Sequence, residues 1–93
     1  MVDYTAPSSV AINQKSPLRL KVGATFTLSA TVKGKYKNYT PRKNLTWTTS
    51  QKNVVSVTNK SNGAIKALQP GRAIITVRTD NGKKDTIEVI VTR

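Results

Sequence analysis

Apolar residues in this chain recur at every second position over short runs, and nowhere do they keep helical spacing for the ten or so residues a helix needs. An extended chain points successive side chains to opposite faces, so this period specifies strands with one buried face and leaves no amphipathic helix to build a core. In "LRLKV", Leu18, Leu20 and Val22 face one way and Arg19 and Lys21 the other. "TFTLSATV" turns Phe26, Leu28, Ala30 and Val32 inward against Thr25, Thr27, Ser29 and Thr31. "LTWTTS" sets Leu45, Trp47 and Thr49 against Thr46 and Thr48. "RAIITVRT" sets Ala73, Ile75 and Val77 against Arg72, Ile74, Thr76 and Arg78, and "TIEVIVT" sets Ile87, Val89 and Val91 against Glu88 and Ile90. "SVAIN" and "VVSVT" add two shorter runs.

Turn chemistry separates the runs. Gly23 breaks the chain between the first two, Asn62-Gly63 and Asp80-Asn81-Gly82-Lys83 read as hairpin turns, and Pro70-Gly71 as a corner. About seven or eight short strands punctuated this way predict an all-β fold, a two-sheet antiparallel sandwich. A parallel sheet would show continuous apolar runs with intervening helices. A small closed barrel is the structural competitor, but barrels carry more corner glycine than the five present. At 93 residues the chain makes one domain, read as 8–93 behind a flexible lead of residues 1–7. With no cysteine, no disulfide staples the sandwich and packing alone must hold it.

Sixteen basic residues stand against four acidic ones, a net charge of +12. The excess concentrates at residues 31–53: Lys33, Lys35, Lys37, Arg42, Lys43 and Lys52 lie there with no acid among them. The segment "KGKYKNYTPRKN", residues 33–44, has no apolar alternation and is long for a loop in a compact domain. Its cations suit phosphates or acidic sugars, and Tyr36 and Tyr39 suit bases or sugar rings, so Lys33, Lys35, Tyr36, Lys37, Tyr39, Arg42 and Lys43 are the candidate ligand-binding set. The competing reading, which the missing aromatic platform favours, is a solvated loop whose tyrosines pack on the sandwich edge. Surplus lysine also keeps β-rich chains soluble and blocks edge-to-edge pairing. Arg72 and Arg78 read as strand-surface charges of that kind.

Catalytic inventory is thin. There is no histidine and no cysteine, and the carboxylates are Asp3, Asp80, Asp85 and Glu88. Asp85 and Glu88, three apart on a strand, point to opposite faces and make no hydrolase pair. Only a serine–lysine pair remains open as a nucleophile, so the chain reads as no enzyme. "TDNGKKD" has too few oxygens for Ca²⁺ and interposes Lys83 and Lys84, so no metal and no cofactor is expected. Trp47, in phase with Leu45, reads as core and not as a sugar-stacking surface. The sequons at Asn38, Asn44 and Asn59 would matter only in a eukaryotic secreted protein. No stretch approaches the ~20 apolar residues of a membrane span, and "MVDYTAPSSV" has neither the basic leader nor the apolar centre of a signal peptide.

"VAIN", then "LRLKVGATFTLSATV", then "LTWTTSQKNVVSVTNKSNGAIKALQPGRAIITVRT" form an ordered set that resembles the bacterial immunoglobulin-like domains of group 2 over nearly the whole chain. The shared features are a strand ending in Val-Gly before a Thr-rich strand, a Trp followed by a Ser/Thr cluster, a Val-x-x-Val run, a Gly hairpin and a Gly-x-Ala-x-Ile corner strand. The insert at 33–44 departs from that pattern, as do Ile74 and Ile90 where the family shows small polar residues.

The resemblance implies an immunoglobulin-like sandwich without the inter-sheet disulfide of antibody domains. It further implies a non-enzymatic binding or spacer module of a larger bacterial cell-surface protein, an adhesin or cell-wall protein, or of a phage virion as tail or capsid decoration. The implied partners are neighbouring domains, a host or bacterial surface protein or an anionic surface polysaccharide, with neither membrane insertion nor a small-molecule substrate. The alternative is a nucleic-acid-binding domain that uses the basic insert 33–43.

Overall fold

The computed structural model describes residues 4–36, 38–41, 44–59 and 62–93. Among them the chain forms nine strands and no helix: β1 (Pro7–Ile12), β2 (Leu18–Lys21), β3 (Thr25–Thr27), β4 (Ala30–Gly34), β5 (Thr46–Thr49), β6 (Val55–Asn59), β7 (Ala64–Ala67), β8 (Gly71–Arg78) and β9 (Lys84–Thr92). One sheet has the order β2-β9-β8-β5. Against it lie the pair β1-β4 and the three-stranded β3-β7-β6. The two layers share one core, built from Val10, Leu28, Val32, Val55, Ile65 and Ala67 on one side and Leu18, Trp47, Ala73, Ile75, Val77, Ile87, Val89 and Val91 on the other.

The alternation in the sequence is what closes this core. Along β8 and β9 every second residue is buried, and Ala73, Ile75, Val77, Ile87, Val89 and Val91 all point inward. The hairpins at Asn62-Gly63 and 80–83 form where the turn residues place them, joining β6 to β7 and β8 to β9. In the second hairpin, Thr79 is buried: its hydroxyl donates to Asn81 Oδ1 at 2.6 Å and accepts from the Lys83 N–H at 2.9 Å. Asn81 Nδ2 then donates to the Pro7 carbonyl at 2.8 Å, which fastens the start of β1 to this turn.

Four details differ from the sequence reading. "TFTLSATV" is two strands, because the backbone changes partners at its centre: β3 pairs with β7, the Leu28 N–H donates to the Gly63 carbonyl, the Ser29 carbonyl accepts from Asn13, and β4 pairs with β1. The four-stranded sheet is not wholly antiparallel, since β2 runs parallel to β9 with Leu18 opposite Val89 and Leu20 opposite Val91. No hairpin links these strands, and alternation carries no information about direction. Val22 is 45% exposed, because the turn at Gly23 (φ 88°) begins there and takes it out of phase with Leu18. Finally, Lys33 and Gly34 belong to β4, and β1 takes in Pro7.

Two contacts fix how the layers meet. Trp47, 1% exposed, packs its ring over Gly63, whose φ is +77°. A Cβ at Gly63 would lie 2.6 Å from the Leu28 carbonyl oxygen and 2.8 Å from Trp47 Cε2. In the same cross-strand row as Trp47, through Val77, the Ile12 N–H donates to Asp85 Oδ2 at 2.8 Å, so a carboxylate on β9 holds the last residue of β1.

Replacing Gly63 with Ala sets a left-handed-region penalty on top of overpacking, and destabilises the domain by about 2–5 kcal/mol in urea unfolding. A change below about 1 kcal/mol would mean that the ring and hairpin separate without loss. Asp85→Ala leaves the Ile12 N–H without its charged acceptor and costs about 1.5–3 kcal/mol in the same measurement, with faster amide exchange at Ile12 as its local signature.

Candidate functional site

The pairing of β1 with β4 decides the neighbourhood of the basic insert. Pro7 stands opposite Gly34, so the residues just before β1 run alongside those just after β4. Tyr4 thereby meets Tyr36 edge-on, with ring centroids 5.0 Å apart at 73°, and stacks on Tyr39 at 4.8 Å and 17°. The Tyr39 N–H donates to the Tyr36 carbonyl at 3.3 Å and closes the turn between them, while Pro41 packs over the Cα of Gly34. Lys35 holds its Nζ 5.9 Å from the Tyr36 ring centroid, a cation over a π face.

Of the candidate set, the structure brings together Lys35, Tyr36 and Tyr39. Lys33 is exposed on β4, and its carbonyl accepts from Ser8 Oγ at 3.1 Å. Lys37, Arg42 and Lys43 lie outside the described residues. Tyr4 is the member that sequence reasoning missed. It stood in a segment read as a lead, and only the β1–β4 register carries residue 4 to residues 36 and 39. The three tyrosines form a cluster in which Tyr4 is 46% and Tyr39 47% exposed. Two of the rings spend one face each on the other, so the group is an aromatic knob, not a row of open stacking faces.

Elsewhere the surface offers little reactive chemistry. Among the described residues no three of His, Cys, Asp and Glu gather in a way that holds a metal ion. Asp85 is engaged by β1, and Asp80 accepts from Asn44 Nδ2 at 3.3 Å. A groove of about 300 Å³ runs between β5 and β6, lined by Trp47, Thr48, Thr49, Lys52, Ser56 and Val57. Trp47 is buried beneath it and presents no ring face for a sugar, as its phase with Leu45 predicts. No described helix is long and apolar enough to cross a membrane.

Arg72 and Arg78 do lie on the solvent face of β8, opposite the buried Ala73, Ile75 and Val77. Their role as guards against stray pairing does not hold, because β8 is an inner strand flanked by β9 and β5 and has no free edge.

Two facing β-layers around a buried tryptophan, with no cysteine to bridge them, define a disulfide-free immunoglobulin-like sandwich. The model of the bacterial Ig-like domain, group 2, matches residues 6–90, and the chain belongs to that family. Among solved structures it is similar to domains 4 and 5 of the S-layer protein SbsC, with a TM-score of 0.73 and 20% identity over 95% of this chain. Domains 5–6 of the same protein give 0.74 and 21% over 94%, and the longer fragment rSbsC(31-844) gives 0.72 and 20% over 94%. The chain spans 53%, 44% and 13% of those three chains. No curated protein matches it.

The aromatic knob has a direct signature. In Tyr4→Ala the ring-current shifts of the Tyr39 side-chain protons collapse toward random-coil values, and stability falls by about 0.5–1.5 kcal/mol, the worth of an exposed aromatic pair. Unchanged Tyr39 shifts would show that the rings do not stack in solution.

Proposed function

We propose that this domain is a non-enzymatic, rigid spacer and contact module of a larger bacterial cell-surface protein or phage virion protein. The observation that carries the reading is the path of the chain through the sandwich. Pro7 is tied to the 80–83 turn at one end, and β9 starts from that same turn. Nine residues later β9 delivers Thr92 beside Val22 at the other end, about 27 Å away at 3.4 Å per residue. The body is elongated, 50 × 19 × 16 Å, and the points where chain enters and leaves the sandwich are separated by a full strand length. Copies joined in series then extend instead of folding back.

Family membership and the likeness to S-layer domains support an extracellular, cell-surface setting; a phage particle is the second setting of this proposal. In this reading the insert meets whatever precedes the domain: Tyr4, Lys35, Tyr36 and Tyr39 sit where the chain enters, and a preceding module would rest against the knob. Further partners are surface proteins or anionic polysaccharide. The nucleic-acid alternative receives no support from the knob, whose rings are turned partly on one another.

Two and three copies of residues 1–93 joined head to tail test the spacer role. Small-angle X-ray scattering should show the maximum dimension growing by about 27 Å or more per added copy, the length of β9. Growth of less than half that amount would mean side-by-side collapse and would overturn the spacer reading.

A further inference from the structure

The outer face of the four-stranded sheet holds a pattern that neither the fold nor spacing requires. The register places side chains in rows across the strands. Thr46, Arg78 and Lys84 form one row, and Thr48, Thr76 and Thr86 the next. Ile74 stands beside Glu88, then Arg72, Ile90 and Arg19 follow, and Lys21 pairs with Thr92 at the far end. All five cations are exposed, and Glu88 is the one carboxylate borne by these rows. Arg78 and Lys84 are directly opposite one another on neighbouring strands, so two cations meet at one cross-strand position, with the Asp80 carboxylate lining the depression above them. A shallow depression of about 500 Å³ lies over this pair, lined by Thr46, Thr48, Thr76, Thr79 and Asp80 as well.

We infer that this face binds a linear acidic polysaccharide, with Arg78 and Lys84 holding anionic groups at one end, Arg72 and Arg19 at the other, and the threonine row between them meeting sugar hydroxyls. The inference rests on the surface setting proposed above. Arg72 and Arg78 are six residues apart on β8, about 20 Å at 3.4 Å per residue. That is more than twice the ~8 Å Debye length at physiological ionic strength, so the two cationic rows act as separate sites. A small anion engages one row only. An extended polyanion engages both, and its second contact is intramolecular and correspondingly favoured.

The side chains of these rows include no aromatic ring, so they lack the stacking surfaces on which single-stranded nucleic acids rely, while threonine hydroxyls donate and accept as sugar recognition needs. The aromatic knob stands apart where the chain enters and takes no part.

The test is amide-shift mapping of the full chain titrated with oligogalacturonate, with neutral maltooligosaccharide and single-stranded DNA of matched charge as comparisons. The acidic glycan should perturb Thr48, Thr76, Arg78, Lys84 and Thr86, with affinity falling as salt rises. Arg78→Ser with Lys84→Ser should weaken binding at least tenfold, and Arg19→Ser with Arg72→Ser comparably. All four residues are exposed, so folding is kept. Lys52→Ser with Lys66→Ser, both exposed and outside these rows, should change affinity less than twofold. Perturbations centred on residues 33–39, unchanged affinity in both sheet variants, equal binding of the neutral glycan, or tighter binding of the DNA would each overturn the proposal. None of these results alters the scattering of tandem copies, so the spacer reading stands or falls separately.

Discussion

The contact on which the sandwich depends is the indole of Trp47 lying over the bare Cα of Gly63. Trp47 comes from the edge strand of one sheet and Gly63 from the hairpin turn of the other layer. No side chain fits between them, and the Gly63 carbonyl simultaneously accepts from Leu28 at the point where the chain leaves β3 for β4. One position therefore joins three needs: a positive φ to turn the hairpin, empty space to seat the largest core ring, and an acceptor for the strand break. The surrounding aliphatic core follows from that seating, since Leu28, Ile65 and Val55 are all buried in the same cluster.

A second constraint comes from strand length. β8 and β9 are the long elements at eight and nine residues, and every other strand is shorter. Polar ties at the two ends of their hairpin, from Asn81 to Pro7 and from Val22 to Thr92, hold Pro7 and Thr92 a full strand length apart. The same hairpin aligns the outward cations row by row. The long hairpin thus carries its exposed cations in successive cross-strand rows along its length.

Much of this was legible before any coordinates. Ala73, Ile75, Val77, Ile87, Val89 and Val91 were assignable to the core because period two admits only one buried face, and Asn62-Gly63 marked its hairpin because those residues tolerate positive φ. The break in "TFTLSATV" was not legible, since Leu28 keeps the alternation even though its backbone partner changes from β7 to Gly63. The candidate site was legible in part: "KGKYKNYTPRKN" announced itself by composition, but Tyr4 did not. An aromatic cluster across thirty-odd residues of chain exists only once β1 has found β4.

Sequence by itself determined the element type, the buried face of most strands, the two hairpins and the family, because each depends on side-chain period or local φ preference. Tertiary structure alone decided which strands became neighbours, that β2 runs parallel to β9, that Asp85 holds β1, and that Arg78 faces Lys84. Pairing is a choice among many strands of similar pattern. What selects it is the simultaneous closing of one core, with Trp47 on Gly63 at its centre, and no stretch of the chain encodes that alone.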